Sequence, residues 1–201
     1  MKQKICSTVL ALALLLCMAA CSPASSVPAP SGSEDRSTDL ETPESDDTAQ
    51  AVEFSVETLD GQQLDQTVFS EAKLTMVNLW ATWCSPCVNE LPDLAELAEE
   101  AAGMEVQVLG IVHDGYDPRT GGKDEEQLEL ARALVEKTGV TYPVLIPDTA
   151  LMEGLLKDVE GFPTTWFVDG QGNIIGEPVL GSNSKDGWMK ILQERLAEVT
   201  E

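Results

Sequence analysis

The run LTMVNLWATWCSPC, residues 74–87, constrains this chain more than any other part of its sequence. Seven residues without a charge, rich in branched and aromatic side chains, read as a strand buried on both faces. Two cysteines separated by two residues follow it, and the stretch after them has helical apolar spacing that carries to Gly103. A cysteine at such a strand-to-helix junction meets free backbone N–H groups and the positive end of the helix dipole, which favour thiolate over thiol. Cys84 is therefore the expected nucleophile. Cys87, one helical turn inward, is the expected thiol that resolves a mixed disulfide formed on Cys84.

Other uses of the pair are weaker. A static bridge across so short a loop gains little entropy. The chain has one His, so a complete four-ligand zinc site is out of reach. The remaining alternative is an exported copper-binding protein using Cys84, Cys87 and His113. No cofactor and no metal are expected for dithiol exchange. His113, at the end of a strand, reads as a surface histidine.

The other three cysteines, Cys6, Cys17 and Cys21, lie in the first 21 residues. Lys2 and Lys4 precede an apolar run over residues 5–20, shorter than a comfortable membrane span, as in an export signal. The run ends Met18-Ala19-Ala20-Cys21. Small residues before a Cys resemble a lipobox, where cleavage precedes the Cys and a lipid is attached to its sulfur; Met18 departs from the Leu most common there. Residues 1–20 are thus the expected signal peptide and Cys21 the expected lipidation site, with an uncleaved anchor as the alternative. Either arrangement leaves the rest of the chain outside the cytoplasm. Residues 21–51 are rich in Ser, Pro, Thr, Asp and Glu, with Arg36 the one basic residue. Such a segment buries too little to offset ordering entropy and reads as a tether, reaching about 100 Å at about 3.3 Å per extended residue.

Residues 52–201 form the expected folded domain. They hold 28 of the chain's 35 acidic residues and 9 of its 12 basic ones, a net charge of -19. Nucleic acid is excluded as a partner, since no basic stripe is present to displace counterions. The apolar pattern gives a hairpin over 53–64 turning at Asp60-Gly61, strands over 74–80 and 106–112, and a polar loop to Lys123. A helix over 124–138 stops at Gly139. A strand over 142–146, a short helix over 150–157, the strand TTWFVD, a turn at 169–172, a strand over 173–180 and a final helix over 184–199 complete the reading. Strands alternating with helices and a closing hairpin argue an α/β sandwich with a mixed central sheet.

WATWCSPC with Glu90 and Pro92 after it, and later GFPTTWFVD, resembles the thioredoxin superfamily, and more closely its TlpA/ResA-like extracytoplasmic thiol-disulfide oxidoreductases. The resemblance spans residues 52–201. It implies a thioredoxin-like three-layer sandwich with an N-terminal β-hairpin and a central βα insertion, acting as a monomer. It makes Cys84 the nucleophile, Cys87 the resolving Cys, and Pro163 a cis-proline that presents a backbone edge to substrate. Glu90, three residues beyond Cys87, becomes the acid that relays protons to the buried thiol. Cytoplasmic thioredoxins carry a buried Asp six residues before the first Cys, where this chain has Asn78, and Glu90 is then the natural proton acceptor. Phe162 and Trp83 would flank the substrate groove. The resemblance also implies exported thiol or disulfide clients, such as apocytochrome c or methionine sulfoxide reductases, and a CcdA- or DsbD-like membrane electron donor.

Peroxiredoxins use the same fold with a Pro-x-x-x-Thr-x-x-Cys arrangement, which is absent before Cys84. Strong oxidants stabilise their thiolate with positive charge or a His between the cysteines, and Ser85-Pro86 supplies neither. The sequence therefore favours a reductase over a disulfide-forming oxidase.

Overall fold

The computed structural model describes residues 52–200; the expected signal peptide (1–20), Cys21 and the tether (21–51) lie outside them. In chain order the elements are β1 (Ser55–Glu57), β2 (Gln63–Asp65), β3 (Leu74–Trp80), α1 (Ser85–Ala101), β4 (Val106–Val112), β5 (Tyr116–Asp117) and β6 (Gly122–Lys123). Then come α2 (Glu125–Thr138), β7 (Val144–Leu145), α3 (Thr149–Glu153), β8 (Thr164–Asp169), β9 (Val179–Leu180) and α4 (Lys185–Thr200).

The central sheet has five strands in the order β7-β4-β3-β8-β9. β3 runs parallel to β4, with Trp80 opposite Val112, and antiparallel to β8, with Asn78 opposite Thr165. All seven β3 residues are buried because the sheet is covered on both faces. Alternate side chains then enter different cores. Leu74, Met76 and Trp80 pack with α1, α2 and α4, whereas Val77 and Leu79 pack with Phe54 and Val56 of the N-terminal segment and Phe69 of a 3-10 turn. Helices on one face and the hairpin β1–β2 with short helical turns on the other give three layers around a mixed sheet. Between β4 and β8 the chain adds α2 and β7, and β7 is the end strand of the sheet beside β4.

α1 buries Cys87, Leu91, Leu94 and Ala101, a stripe at helical spacing along one face. Pro86 stands near its start, where a missing N–H costs nothing. Pro92 lies inside it and exposed, at the cost of one ladder hydrogen bond. α2 starts at Asp124, whose carboxylate accepts from the Gln127 N–H, and stops at Gly139 with φ of 76°.

Three expectations are corrected. The strand over 173–180 shrinks to Val179–Leu180 plus a bridge from Ile174 to Val168, because Gly176 turns at φ of 66° and Pro178 has no N–H to pair. The strand over 142–146 shrinks to Val144–Leu145 between Pro143 and Pro147 for the same reason. The polar loop is partly ordered, with a 3-10 turn at His113–Gly115 and the small antiparallel pair β5–β6. Asp117 holds that loop by accepting from the Arg119 backbone N–H at 2.9 Å and from its guanidinium.

Gly110 lies in β4 opposite Asn78. A Cβ there would stand 3.1 Å from Val144 Cγ2, 3.3 Å from Tyr142 Cε2 and 3.4 Å from Trp80 Nε1. Gly110→Ala is expected to cost about 1–3 kcal/mol, the usual range for overpacking. A lower urea midpoint at unchanged slope is the expected reading; an unchanged midpoint would show that these neighbours give way freely.

Candidate active site

Cys84 is the N-cap of α1, with extended backbone (φ -83°, ψ 96°), and its sulfur accepts the Cys87 N–H at 3.3 Å. Its carbonyl accepts the Val88 N–H at 3.0 Å and its own N–H reaches the Ala81 carbonyl at 3.1 Å. The two cysteines are joined in a disulfide across two intervening residues. Cys84 is 4% exposed and Cys87 0%, so an incoming sulfur meets Cys84 first.

The loop between β3 and α1 is pinned from the side. Asp114 accepts the Thr82 N–H with both carboxylate oxygens at 3.1 Å and also bonds the Thr82 hydroxyl, which lies 2.8 Å from Gln127 Oε1. Thr82 and Asp114 follow Trp80 and Val112, which are paired in the sheet, by two residues each. The parallel register thus brings them together and fixes the height of Cys84. Neither residue was among the expected site residues, although the register of the two apolar runs signals their proximity.

Glu90 is 3% exposed and sits beneath the helix start. Its Oε1 accepts from Asn78 Nδ2 at 3.1 Å, and its Oε2 accepts the Asn183 N–H at 3.1 Å and Trp188 Nε1 at 3.3 Å. Burial pushes its pKa above the usual carboxylate value; the three N–H donors oppose that, and the nearby charge of Asp93 adds to it. Asn78 Nδ2 also donates to Thr165 Oγ1 at 3.1 Å, tying the carboxylate to β8. A buried carboxylate with a raised pKa one turn from Cys87 has the chemistry to exchange a proton with a thiol. Trp188 and Asn183 are 98 and 93 residues away in sequence, and nothing local to Glu90 announces them.

The Phe162–Pro163 peptide bond is cis. The Phe162 ring meets Trp83 edge-on at 5.3 Å and His113 at 4.9 Å, so an aromatic cluster stands beside the residue preceding Cys84. Trp83 is 64% exposed, whereas Trp80 is a core residue. His113 is half-buried rather than a surface residue, because the 3-10 turn after β4 folds it against Phe162. Burial lowers its pKa against the opposing charge of Asp114. It does not join the cysteines in a metal cluster: among the described residues no group of three or more His, Cys, Asp or Glu is placed to hold an ion.

An oxidised CxxC pair at a helix N-terminus, above a buried carboxylate and beside a cis-proline turn on this mixed sheet, defines a thioredoxin-like thiol-disulfide oxidoreductase. Residues 48–176 match the family model of the AhpC/TSA family, and the chain belongs to that family. The thioredoxin-like protein YneN of Bacillus subtilis is 31% identical over 136 residues, covering 68% of this chain and 72% of that protein. A solved thiol:disulfide interchange protein of the thioredoxin family from Chlorobium tepidum is 27% identical with a TM-score of 0.59, covering 73% of this chain and 94% of the other. The exposed lipoprotein thioredoxin of Streptococcus pneumoniae is 28% identical with a TM-score of 0.53, covering 71% and 99%. Val77 and Ala81 stand where the peroxidatic pattern has its Pro and Thr.

Proposed function

We propose that this oxidoreductase acts outside the cytoplasm, anchored through a lipid on Cys21, and reduces disulfides in exported proteins. The observation that carries the reading is the Cys84–Cys87 pair at the start of α1, with its outer sulfur nearer solvent than its inner one. The Cys84 thiolate attacks one sulfur of a client disulfide, an S–S bond forms between them, and the client's other sulfur leaves as a thiolate. Glu90 takes the proton of Cys87, whose thiolate then attacks Cys84 Sγ and releases the second client thiolate. Two electrons pass to the client, whose two thiolates take their protons from water, Glu90 is left holding the Cys87 proton and returns it to water, and the chain is left with the disulfide seen here. A CcdA- or DsbD-like membrane dithiol restores the reduced pair. Trp83, Phe162 and Pro163 form the surface that receives the client.

The reducing direction is supported by the dipeptide Ser85-Pro86, which brings no positive charge, and by the buried carboxylate of Glu90, which opposes a deeply lowered thiolate pKa. Anchoring is supported by the Met18-to-Cys21 sequence and by the likeness to a protein that is itself an exposed lipoprotein. Among the described residues no helix is long and apolar enough to cross a membrane. Exported apocytochrome c and methionine sulfoxide reductases are the client classes we favour.

The test is the reduction potential of Cys84/Cys87, read by alkylation and mass of the peptide holding both, in defined redox buffers. A value near roughly -270 mV or lower supports the reductase, and one near roughly -120 mV reverses the direction. Absence of a reversible couple would sink dithiol exchange.

A further inference from the structure

Large apolar side chains left in solvent gather around the cis-proline turn. Trp83 is 64% exposed and packs on Phe162, and Leu180 is 62% exposed and approaches to 3.2 Å of where Gly161 would carry a Cβ. The Gly181 N–H closes on the Pro163 carbonyl at 2.9 Å, holding β9, the sheet's outermost strand on that side, against the turn. Behind Leu180 a cavity of about 330 Å³ opens, walled by Leu155, Val159 and Trp166 and edged by the exposed carboxylates Asp158 and Glu160. A second hollow of about 350 Å³ continues past Trp166 and adds Glu53. No Lys or Arg lines either hollow, although Lys157 is exposed beside them in sequence. The groove is therefore apolar at its floor, acidic at its edge and continuous with the turn beside the redox pair.

We infer that this groove is a client subsite that receives an extended segment carrying Lys or Arg next to an apolar side chain. The inference deepens the disulfide-reductase reading and rests on it. Charge complementarity selects the occupant: an apolar residue fills the floor while a cation meets Asp158 and Glu160, and an acidic segment is repelled. Contiguous exposed apolar surface rimmed by polar residues is the usual signature of a binding face. Glu160 precedes Phe162 by two residues in a bend of the chain, so the two lie within about 7 Å of chain at about 3.3 Å per residue. A client whose Cys reaches Cys84 thus delivers to the groove residues some three to five positions from that Cys. The outer edge of β9 offers it backbone pairing.

The probes are two synthetic peptides with an internal disulfide, one bearing Lys-Leu-Lys at positions three to five beyond its last Cys and the other Glu-Leu-Glu, and hydroxyethyl disulfide as a small neutral substrate. The full-length chain, purified in detergent and reduced, is expected to favour the Lys peptide over the Glu peptide by about tenfold in the second-order rate constant of its single turnover at low salt. D158N/E160Q is expected to cut the Lys-peptide rate about fivefold and flatten its salt dependence, with hydroxyethyl disulfide unchanged. E96Q/E99Q, on exposed positions of α1 outside the groove, controls for net charge. Equal rates for the two peptides, or an equal loss in both double variants, would overturn the subsite. Failure to reduce hydroxyethyl disulfide would instead overturn the parent reading.

Discussion

Cys84→Ser is expected to bring disulfide exchange down to the uncatalysed background, while Cys87→Ser accumulates a covalent adduct with its client. The asymmetry follows from burial. Both sulfurs belong to one short loop, but Cys84 caps α1 with its sulfur on a backbone N–H and Cys87 is sealed beneath it. Without Cys84 no thiolate reaches a client. Without Cys87 the first attack still proceeds, and the mixed disulfide on Cys84 has no internal thiol to release it. Non-reducing electrophoresis after reaction with a disulfide substrate distinguishes them. An adduct on Cys84→Ser and none on Cys87→Ser would reverse the order of attack.

Glu90 gives the second large effect, and two variants separate its parts. Glu90→Gln keeps an acceptor for the Asn183 and Trp188 donors, and its amide can donate to Asn78 Oδ1, which has no partner among the described residues, once the Asn78 amide turns over. Thr165 Oγ1 can serve the turned amide as a donor. The fold is therefore expected to survive, while client release slows on the order of a hundredfold for want of a proton acceptor. Glu90→Ala leaves the Asn183 N–H and Trp188 Nε1 facing an empty space, with Asn78 Nδ2 held by Thr165 Oγ1 alone, at about 1–3 kcal/mol per orphaned donor, and should fall sharply in stability.

The pH dependence has a definite sign. Because burial raises the native pKa of Glu90, the native state holds this proton more tightly than the unfolded chain. The resulting stabilisation is complete below the ordinary carboxylate pKa and is lost as pH rises through the raised native value. Relative to Glu90→Gln, the wild type should therefore lose stability across that window. Urea midpoints of both proteins through the same pH series measure it, and a difference that stays constant or grows in favour of the wild type would mean that Glu90 is ionised throughout.

Where a strand is covered on both faces, its apolar run is uninterrupted, and the runs at 74–80, 106–112 and 164–169 match the observed β3, β4 and β8 to the residue. The outer strands were harder to delimit. Leu145 and Leu180 are as apolar as the core strands, but Pro143, Pro147 and Pro178 remove donors and leave ladders two residues long. The hairpin β5–β6 was hidden altogether, since it is held by the Asp117 carboxylate on Arg119 rather than by apolar alternation.

The chemistry of the pair was readable from spacing alone, because a strand, two cysteines and a helix in direct succession place a sulfur at a helix N-terminus whatever the rest of the chain does. Tertiary structure decided what surrounds that sulfur. The Glu90 site is assembled from Asn78 on β3, Asn183 before α4 and Trp188 within α4. The aromatic cluster joins Trp83, His113 and Phe162 from three separate loops. Leu180, unremarkable in sequence, became an exposed wall of a groove because β9 ends the sheet beside the cis-proline turn. Local sequence fixes what one segment can do by its own backbone geometry; burial, pKa and partner surface depend on residues far apart in the chain that meet only when the sheet and helices have packed.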